Sequence, residues 1–399
     1  MRVLQISHKP PYPVIDGGCL AINQISQSLI QEGIDLTVRS IATQKHPFRK
    51  ETFPDGYLSS TSFKAVFADT TPNVIDALSN LITQDSYHIS RFFSVDFDRE
   101  LVRLLKNQKF DIVILESIFV GTYISTIRRL SKAAIVLRSH NLEFSIWHRL
   151  ARAQKSLLRR SYLRILTSQL KDFEVNLLQD IDALIAINQD ELKYYRRLGY
   201  TSPGITIPFG VSTVKYHPSH SEIEWNSVFH LGSMDWQPNV EGVEWFLTEV
   251  WPMVHKAIPE ARFYIAGRNI SERFEQIEIP GVVVCGEVPD AQAFMKSKNV
   301  MIVPLRSGGG MRVKLIEGLA LEKPTVSTPL GARGIAVADG LNCLIARKPE
   351  EFAEAIVRLL SDRVLAMQIG KEGRKLVGQH YDKDQLSSIL VNFLKNLGS

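Results

Sequence analysis

Cysteine is scarce and scattered: the 399-residue chain has three, Cys19, Cys285 and Cys343. That spacing excludes a disulfide framework and a cysteine-rich metal site, and it fits a reducing compartment. Long apolar runs are missing too. No stretch approaches the roughly 18 residues that a membrane-spanning helix needs. The opening "MRVLQIS" reads as a strand that runs straight into "HKPPYP". It lacks a basic start followed by a long apolar segment, so no signal peptide is predicted. Nor is there a large excess of one charge. The formal net charge is +5, which permits an anionic partner without requiring nucleic acid. These absences predict a cytoplasmic protein, with peripheral contact on the inner membrane face left open.

What is present is an ordinary globular composition, 45% hydrophobic and 22% charged, in a chain long enough for two or three domains. "RVLQIS" is an apolar strand, and Leu20, Ile22, Ile25, Leu29 and Ile30 mark a helix after the loop "HKPPYPVIDGG". Gly33 is placed to end that helix, and "IDLTVRSI" is the next strand. Further strands are "FDIVILES", "AAIVLRSHN" and "DALIAIN", each followed by a helical pattern. After about residue 210 the alternation restarts with "SVFHLGSM", a long amphipathic helix "NVEGVEWFLTEVWPMVHKA", then "ARFYIAG", "GVVVCGEV" and "NVMIVPL". Strands alternating with helices predict parallel sheets covered on both faces. The fold class expected is α/β, with two Rossmann-like doubly wound domains. The first spans 1–208 and the second 209–379, and a C-terminal helix in 380–399 packs back onto the first. Ligands of such sheets bind beyond the carboxyl ends of the strands, so two facing domains are expected to make a cleft.

The densest chemistry lies in "PLRSGGGMRVKLIEGLALEKPTVST", Pro304 to Thr328. Gly308, Gly309 and Gly310 follow a buried strand and open a helix. Helix amides there are unpaired, and glycines let an anion approach the backbone. Lys314 and Glu317 are three apart and share a helix face, suited to a phosphate and to ribose hydroxyls. The plainer reading is a tight turn with a helical ion pair. A Walker A loop is excluded, because no Gly-Lys-Ser/Thr follows, and so is G-x-G-x-x-G, because Val313 stands at the third glycine.

Over its whole length the chain resembles glycosyltransferases of the two-Rossmann (GT-B) fold, specifically the large retaining family 4 (glycosyl transferases group 1). That family carries E-G-x-G-x-x-x-x-E followed by "AMA-G-x-PVV". "GGMRVKLIEGLALEKPTVS" matches the second half, with Glu317 on the second glutamate, the ribose-binding one in the family. Gly309 stands where the first glutamate, which helps hold the donor sugar, is expected. This variant of the E-x7-E motif resembles a subgroup from bacterial exopolysaccharide operons reading "PLR-x-GGG-x-R-x-K-x-LE". A second departure is "FHLGSMDWQPNVEGVEWF", where the family reads "VGRL-x-x-x-KG" with a phosphate-binding arginine and lysine. Here Ser233 and Met234 follow Gly232, and Pro238 and Asn239 occupy the lysine's neighbourhood. A diphosphate still needs positive charge. Arg306, Arg312 and Lys314 are the replacements at hand, Lys314 foremost, and Gly232, Ser233 and Met311 complete the expected donor-binding set.

In the first half, "YPVIDGGCLAINQISQSL" matches the family's first loop, placing Gly17 and Gly18 at a helix start under the donor phosphates. "VLRSHNLEF" places His140 just past a strand end, where the family often has a histidine near the donor sugar; Asn141 and Glu143 are weaker candidates. "ITIPFGVSTVKYHP" matches the family's interdomain segment, with Phe209 in place of asparagine. Each of these also has a structural reading, as a turn, a core histidine or a surface base. Two acidic triplets resemble metal-binding Asp-x-Asp. Asp96 to Asp98 stand where first-turn helix residues belong, and Asp180 to Asp182 end a helix, so neither is read as a metal site. No His or Cys cluster has ligand spacing. The segment "HRLARAQKSLLRRSYLRILTSQLK", 148–171, carries many bases and no acid, with leucines at helical spacing. It reads either as an interfacial helix for anionic lipid or as a solvated helix face.

The resemblance implies a metal-independent hexosyltransferase with His140, Lys314 and Glu317 as candidate catalytic residues. It needs no cofactor beyond its donor substrate, a nucleotide-diphosphate sugar. The acceptor is a hydroxyl on a glycan or a lipid-linked carrier, and the setting is bacterial surface-polysaccharide synthesis. Two other classes remain open: a nucleotide-sugar epimerase of related fold, and a degenerate nucleotide- or glycan-binding protein, which the missing first glutamate favours.

Overall fold

The computed structural model describes residues 1–70, 87–154, 156–219 and 223–398. They form two compact units, Met1–Pro208 with Asp384–Ser399, and Phe209–Lys383.

The first unit is built on a seven-stranded sheet. Its strands are β1 (Arg2–Ser7), β2 (Asp35–Ala42), β3 (Lys64–Phe67), β4 (Ile112–Glu116), β5 (Ala134–Arg138), β6 (Ala183–Ala186) and β7 (Gly204–Thr206). They lie in the order β3-β2-β1-β4-β5-β6-β7, and every neighbouring pair is parallel. The second unit has β8 (Glu224–Leu231), β9 (Arg262–Ala266), β10 (Val282–Gly286), β11 (Lys298–Val303), β12 (Thr325–Ser327) and β13 (Leu344–Ile345). Their order is β10-β9-β8-β11-β12-β13, again all parallel. β4 and β6 are buried along their whole length. That is why their sequences run apolar without alternation: helices cover both faces. The strand order reverses between β1 and β4 in one unit and between β8 and β11 in the other. Such switch points leave a crevice at the carboxyl ends of the strands.

Local chemistry sets the helix starts. Ser94 Oγ accepts from Phe97 N at 3.3 Å, and Asn188 Oδ1 from Glu191 N at 2.8 Å. Asp96 and Asp98 lie in the first turn of the helix Val95–Asn107, where carboxylates meet the helix dipole. The helix Lys383–Leu397 packs Leu390, Val391 and Leu394 against Val3, Ile25 and Leu29 of the first unit. Each leucine so buried contributes about 1.5–3 kcal/mol.

Two helical expectations need correction. The long helix predicted over 239–257 is interrupted: Gln237–Trp245 is α-helical, Phe246–Val250 is wound as a π-helix, and Trp251–Ala257 resumes the α form. Pro252, which cannot donate to the i−4 carbonyl, lies at the restart. The basic segment 148–171 is not one helix. It falls on Glu143–Ala153 and Leu157–Leu177, with Ser156 capping the second through its side chain. No helix among the described residues is long and apolar enough to cross a membrane.

Candidate functional site

In the first unit, the carboxyl ends of β1, β4 and β5 bring together side chains that lie far apart in sequence. Glu116 ends β4, Arg138 ends β5, and His140 lies two residues further on. Arg138 Nη1 donates to Glu116 Oε2 at 3.0 Å, with both side chains sealed from solvent. His140 Nε2 lies 2.7 Å from the same oxygen. Gln5 Nε2 donates to Glu116 Oε1 at 2.7 Å, and His8 Nδ1 lies 3.0 Å from the Glu116 carbonyl oxygen. Burial alone would raise the Glu116 carboxyl, but Arg138 and His140 outweigh it and hold the group below the usual carboxylate range. Burial lowers His140 below the ordinary histidine value, against the opposing bond from Glu116. The ring is therefore neutral near pH 7.

The glycines at the first helix, Gly17–Gln31, sit beside a second cluster. Asp16 caps this helix, its Oδ1 accepting from Cys19 N at 3.0 Å. Lys9 Nζ donates to both Asp16 carboxylate oxygens at 2.8 Å, and His46 Nε2 meets Oδ2 at 2.9 Å. Burial would raise the Asp16 carboxyl; His46, Lys9 and Cys19 override it and hold it far below the usual range. A Cβ at Gly18 would lie 2.5 Å from Lys9 Nζ, whereas at Gly17 it would meet nothing within 4 Å. Asp16, Cys19 and His46 bring one ligand atom each within 4.8 Å of one another. Spacing in the sequence carries no sign of this grouping, because His46 arrives from the loop after β2. The cation facing Asp16 in this structure is Lys9. Of the two predicted phosphate-binding helix starts, this one already holds a carboxylate.

The other helix start is open. Val313–Ala320 has Arg312 at its cap position and no side chain bonded to its first-turn amides. Gly308 and Gly310 adopt φ of 97° and 80°, a left-handed backbone that glycine reaches without penalty. A Cβ at Gly308 would also lie 2.9 Å from the Trp236 ring. Arg312 stacks its guanidinium over Trp236 at 4.7 Å from the ring centre, and its Nη1 donates to Gly309 O at 2.5 Å. Its Nε is buried and has no hydrogen-bond partner among the described residues. Burial, with Arg333 nearby, lowers Arg312 to about 10. A partly buried guanidinium at the start of an uncapped helix, with a second arginine nearby, is an arrangement that an anion would neutralise.

Glu317 lies one turn along this helix. Its Oε1 accepts from Tyr216 OH at 2.7 Å, and its Oε2 meets Lys314 Nζ at 2.7 Å. Lys314, expected to be the foremost phosphate base, is thus engaged with Glu317 and half exposed. Arg306 does not join Arg312: it is exposed and stacks on Trp245 at 5.5 Å. Met311 packs beside the apolar cluster that holds Leu315 and Ile316. Ser233 Oγ donates to Asp235 Oδ1 at 2.6 Å, and Asn239 Nδ2 to Ser233 O at 2.8 Å, closing the turn after β8. Gly232 is hemmed in: a Cβ there would lie 2.6 Å from Asn239 Nδ2. Gly267, φ 151°, presses so closely on Gly232 O that no side chain fits.

Several of these groups gave no sequence signal. Tyr216, Trp236 and Arg333 carry none, because their roles depend on which loops the sheet brings together. Glu116 gave a faint one, as a charged residue closing an apolar strand.

Similarity to known proteins follows the same layout. Residues 226–362 match the family described as glycosyl transferases group 1. An uncharacterized 44.6 kDa protein in the cps region of Klebsiella pneumoniae is 23% identical over 97% of this chain and 98% of its own. The capsular polysaccharide biosynthesis glycosyltransferase CapM of Staphylococcus aureus is 32% identical over 29% of this chain and 32% of that protein. Among solved structures, sucrose-phosphate synthase from Thermosynechococcus elongatus superposes with a TM-score of 0.72 at 16% identity, covering 100% of this chain and 99% of that one. Anabaena HepE, in complex with UDP, gives 0.68 at 14% identity, covering 99% and 100%. The architecture is the two-Rossmann GT-B fold, and residues 226–362 are similar to the glycosyl transferases group 1 family.

Proposed function

We propose that this protein is a retaining, metal-independent glycosyltransferase of the hexosyltransferase type. It moves a sugar from a nucleotide-diphosphate sugar to a hydroxyl of a glycan or lipid-linked acceptor in surface-polysaccharide synthesis, working in the cytoplasm or at the inner face of the membrane. The observation that carries this reading is Arg312 at the cap of an uncapped helix, its Nε buried and without a hydrogen-bond partner. Support comes from HepE, whose structure holds UDP, and from CapM, named for capsular polysaccharide biosynthesis.

In this reading the C-terminal unit takes the donor. Arg312 and the first amides of Val313–Ala320 hold the diphosphate and stabilise the charge that grows on it as the glycosidic bond breaks. Glu317, oriented by Tyr216, accepts from the ribose hydroxyls. In the N-terminal unit, His140 offers a neutral ring to a sugar hydroxyl. The experiment is a thermal-shift scan against nucleotide diphosphates and their sugars in the presence of a chelator. A ligand at 100 times its dissociation constant adds about 2.7 kcal/mol. The best donor then goes into a transfer assay whose product anomer is read by NMR. A selective shift and a product with the donor's anomeric configuration are expected. Inversion, or transfer that stops with the chelator, would discard the corresponding part; no shift with any nucleotide would discard the whole.

A further inference from the structure

We propose that the face formed by the end of Glu143–Ala153 and the start of Leu157–Leu177 is a docking surface for an anionic lipid bilayer. The starting point is an excess of exposed apolar side chains on one helix. Leu157 is 76% exposed, Leu158 86% and Ile165 51%, with Tyr162 and Leu150 also exposed. Leu158, Tyr162 and Ile165 follow i, i+4, i+7 spacing and share one face of the helix. Leu166, Leu170 and Leu177, about a quarter turn round the helix from that row, are buried, and Leu170 and Leu177 join the core of the unit. The helix is therefore apolar on two sides, and the fold uses one of them. Single exposed leucines are ordinary, but adjacent ones at a helix start, aligned with a further apolar row, expose surface that a soluble protein normally covers.

Charge decides what covers it. From Phe144 to Lys171 the sequence has no Asp or Glu. Arg152, Arg159 and Arg164 are exposed alongside the apolar residues. At about 100° per residue, residue 164 projects on the same side of the helix as Leu157, and residue 159 lies at the N-terminal end on the other side of the 158–162–165 row. Arginine stems lie along apolar surface while their guanidiniums reach outward. A partner must then offer an apolar interior under a negatively charged rim within a few ångströms. The acyl–headgroup boundary of an anionic bilayer has that layering. Tyr162, apolar with one polar tip, suits the same depth. The inference stands whether or not the chain transfers a sugar, since it uses none of the residues assigned to the donor.

The test uses the full chain and vesicles of phosphatidylcholine, with or without phosphatidylglycerol. Co-sedimentation with the anionic vesicles is expected at low salt, falling as salt is raised, with little on neutral vesicles. The double variant Leu157→Ser, Leu158→Ser should lose at least about tenfold in partitioning, and so should Arg159→Gln with Arg164→Gln. Both substitute exposed positions, so unchanged circular dichroism melts and nucleotide shifts verify folding. Equal binding to neutral vesicles, or no binding to either, overturns the proposal. So does sedimentation velocity showing a dimer that the leucine variant turns into a monomer, because a second copy then covers the face.

Discussion

Glu116 Oε2 lies 2.7 Å from His140 Nε2, and Arg138 Nη1 donates to the same oxygen at 3.0 Å. Since an ionised carboxylate only accepts, the imidazole proton sits on Nε2, leaving the His140 Nδ1 lone pair free to accept from a ligand hydroxyl. The carboxylate thus selects a tautomer, and Arg138 holds the carboxylate. In the proposed reaction Glu116 would be a positioning residue acting through His140.

Glu116→Gln is expected to reverse that tautomer. The glutamine amide donates to His140 Nε2, the proton moves to Nδ1, and an acceptor becomes a donor. Turnover should fall by about 10–100-fold, the scale of one charged hydrogen bond at about 1.5–3 kcal/mol, with the donor KM little changed. Stability should fall by up to about 3–5 kcal/mol, because Arg138 is left buried beside a neutral group. Nitrogen NMR of the imidazole reads the tautomer directly. An unmoved tautomer, or a moved tautomer with unchanged turnover, would end the positioning role.

For the diphosphate of the proposed donor, the surroundings of Arg312 and Lys314 rank the two. Arg312 is partly buried, with a buried and unpartnered Nε; Lys314 is half exposed and meets Glu317 at 2.7 Å. Arg312→Ala is expected to raise the nucleotide dissociation constant about 10–100-fold, the worth of a charged hydrogen bond at about 1.5–3 kcal/mol. Lys314→Ala should cost less than about fivefold, as exposed pairs contribute little. Isothermal titration of both variants checks this, and a larger loss at Lys314 would reverse the assignment.

Tyr216 gives Glu317 its orientation through the 2.7 Å bond to Oε1. Glu317→Ala should raise the donor dissociation constant tenfold or more, about 1.4 kcal/mol or above. Tyr216→Phe keeps the carboxylate but frees its rotamer, so a loss of roughly two- to fivefold is expected, within one neutral hydrogen bond. If binding to a nucleoside diphosphate and to inorganic diphosphate falls equally in Glu317→Ala, the carboxylate is not a ribose contact.

The sheets were legible because parallel strands buried on both faces must be apolar throughout. "FDIVILES" and "NVMIVPL" announce β4 and β11 in that way. The helix start after Gly308–Gly310 was legible for a similar reason: a strand, small residues, then an amphipathic pattern. What stayed hidden depends on distance in sequence. Nothing in the spacing relates Asp16 to His46, or Tyr216 to Glu317, 101 residues apart. The π-wound turn at Phe246–Val250 leaves the apolar periodicity intact, so it has no signature. The break near Ser156 has no signature in the charge pattern, because the bases run on through it; its one local sign is a serine three residues before a helical amide.

A buried carboxyl cluster behind His140 gives the last prediction. Glu174 is fully buried; its Oε1 accepts from Tyr195 OH at 2.6 Å and its Oε2 from Phe144 N at 3.3 Å. Burial pushes Glu174 up to about 8, with Tyr195, Phe144 N and Glu143 as the other groups facing it. Burial, with Glu174 beside it, pushes Glu191 to about 8, and burial pushes Glu143 to about 7. The ordinary value is 4.5, so Glu174 is protonated in the fold at neutral pH. A carboxyl with a raised folded value contributes stability that is complete below pH 4.5 and is lost as pH climbs towards 8. The buried histidines His8, His140 and His230 are lowered by burial and slope the other way, adding stability as pH rises through 6.5. A difference between two proteins isolates the carboxyl. Glu174→Gln keeps an acceptor for Tyr195 and removes the titration. Relative to the unmodified protein it should gain stability steadily from pH 5 to pH 8.5, reaching roughly 4 kcal/mol. Denaturant midpoints across that range measure the difference. Parallel curves would mean that Glu174 is already ionised in the fold, held so by groups other than those that face it here.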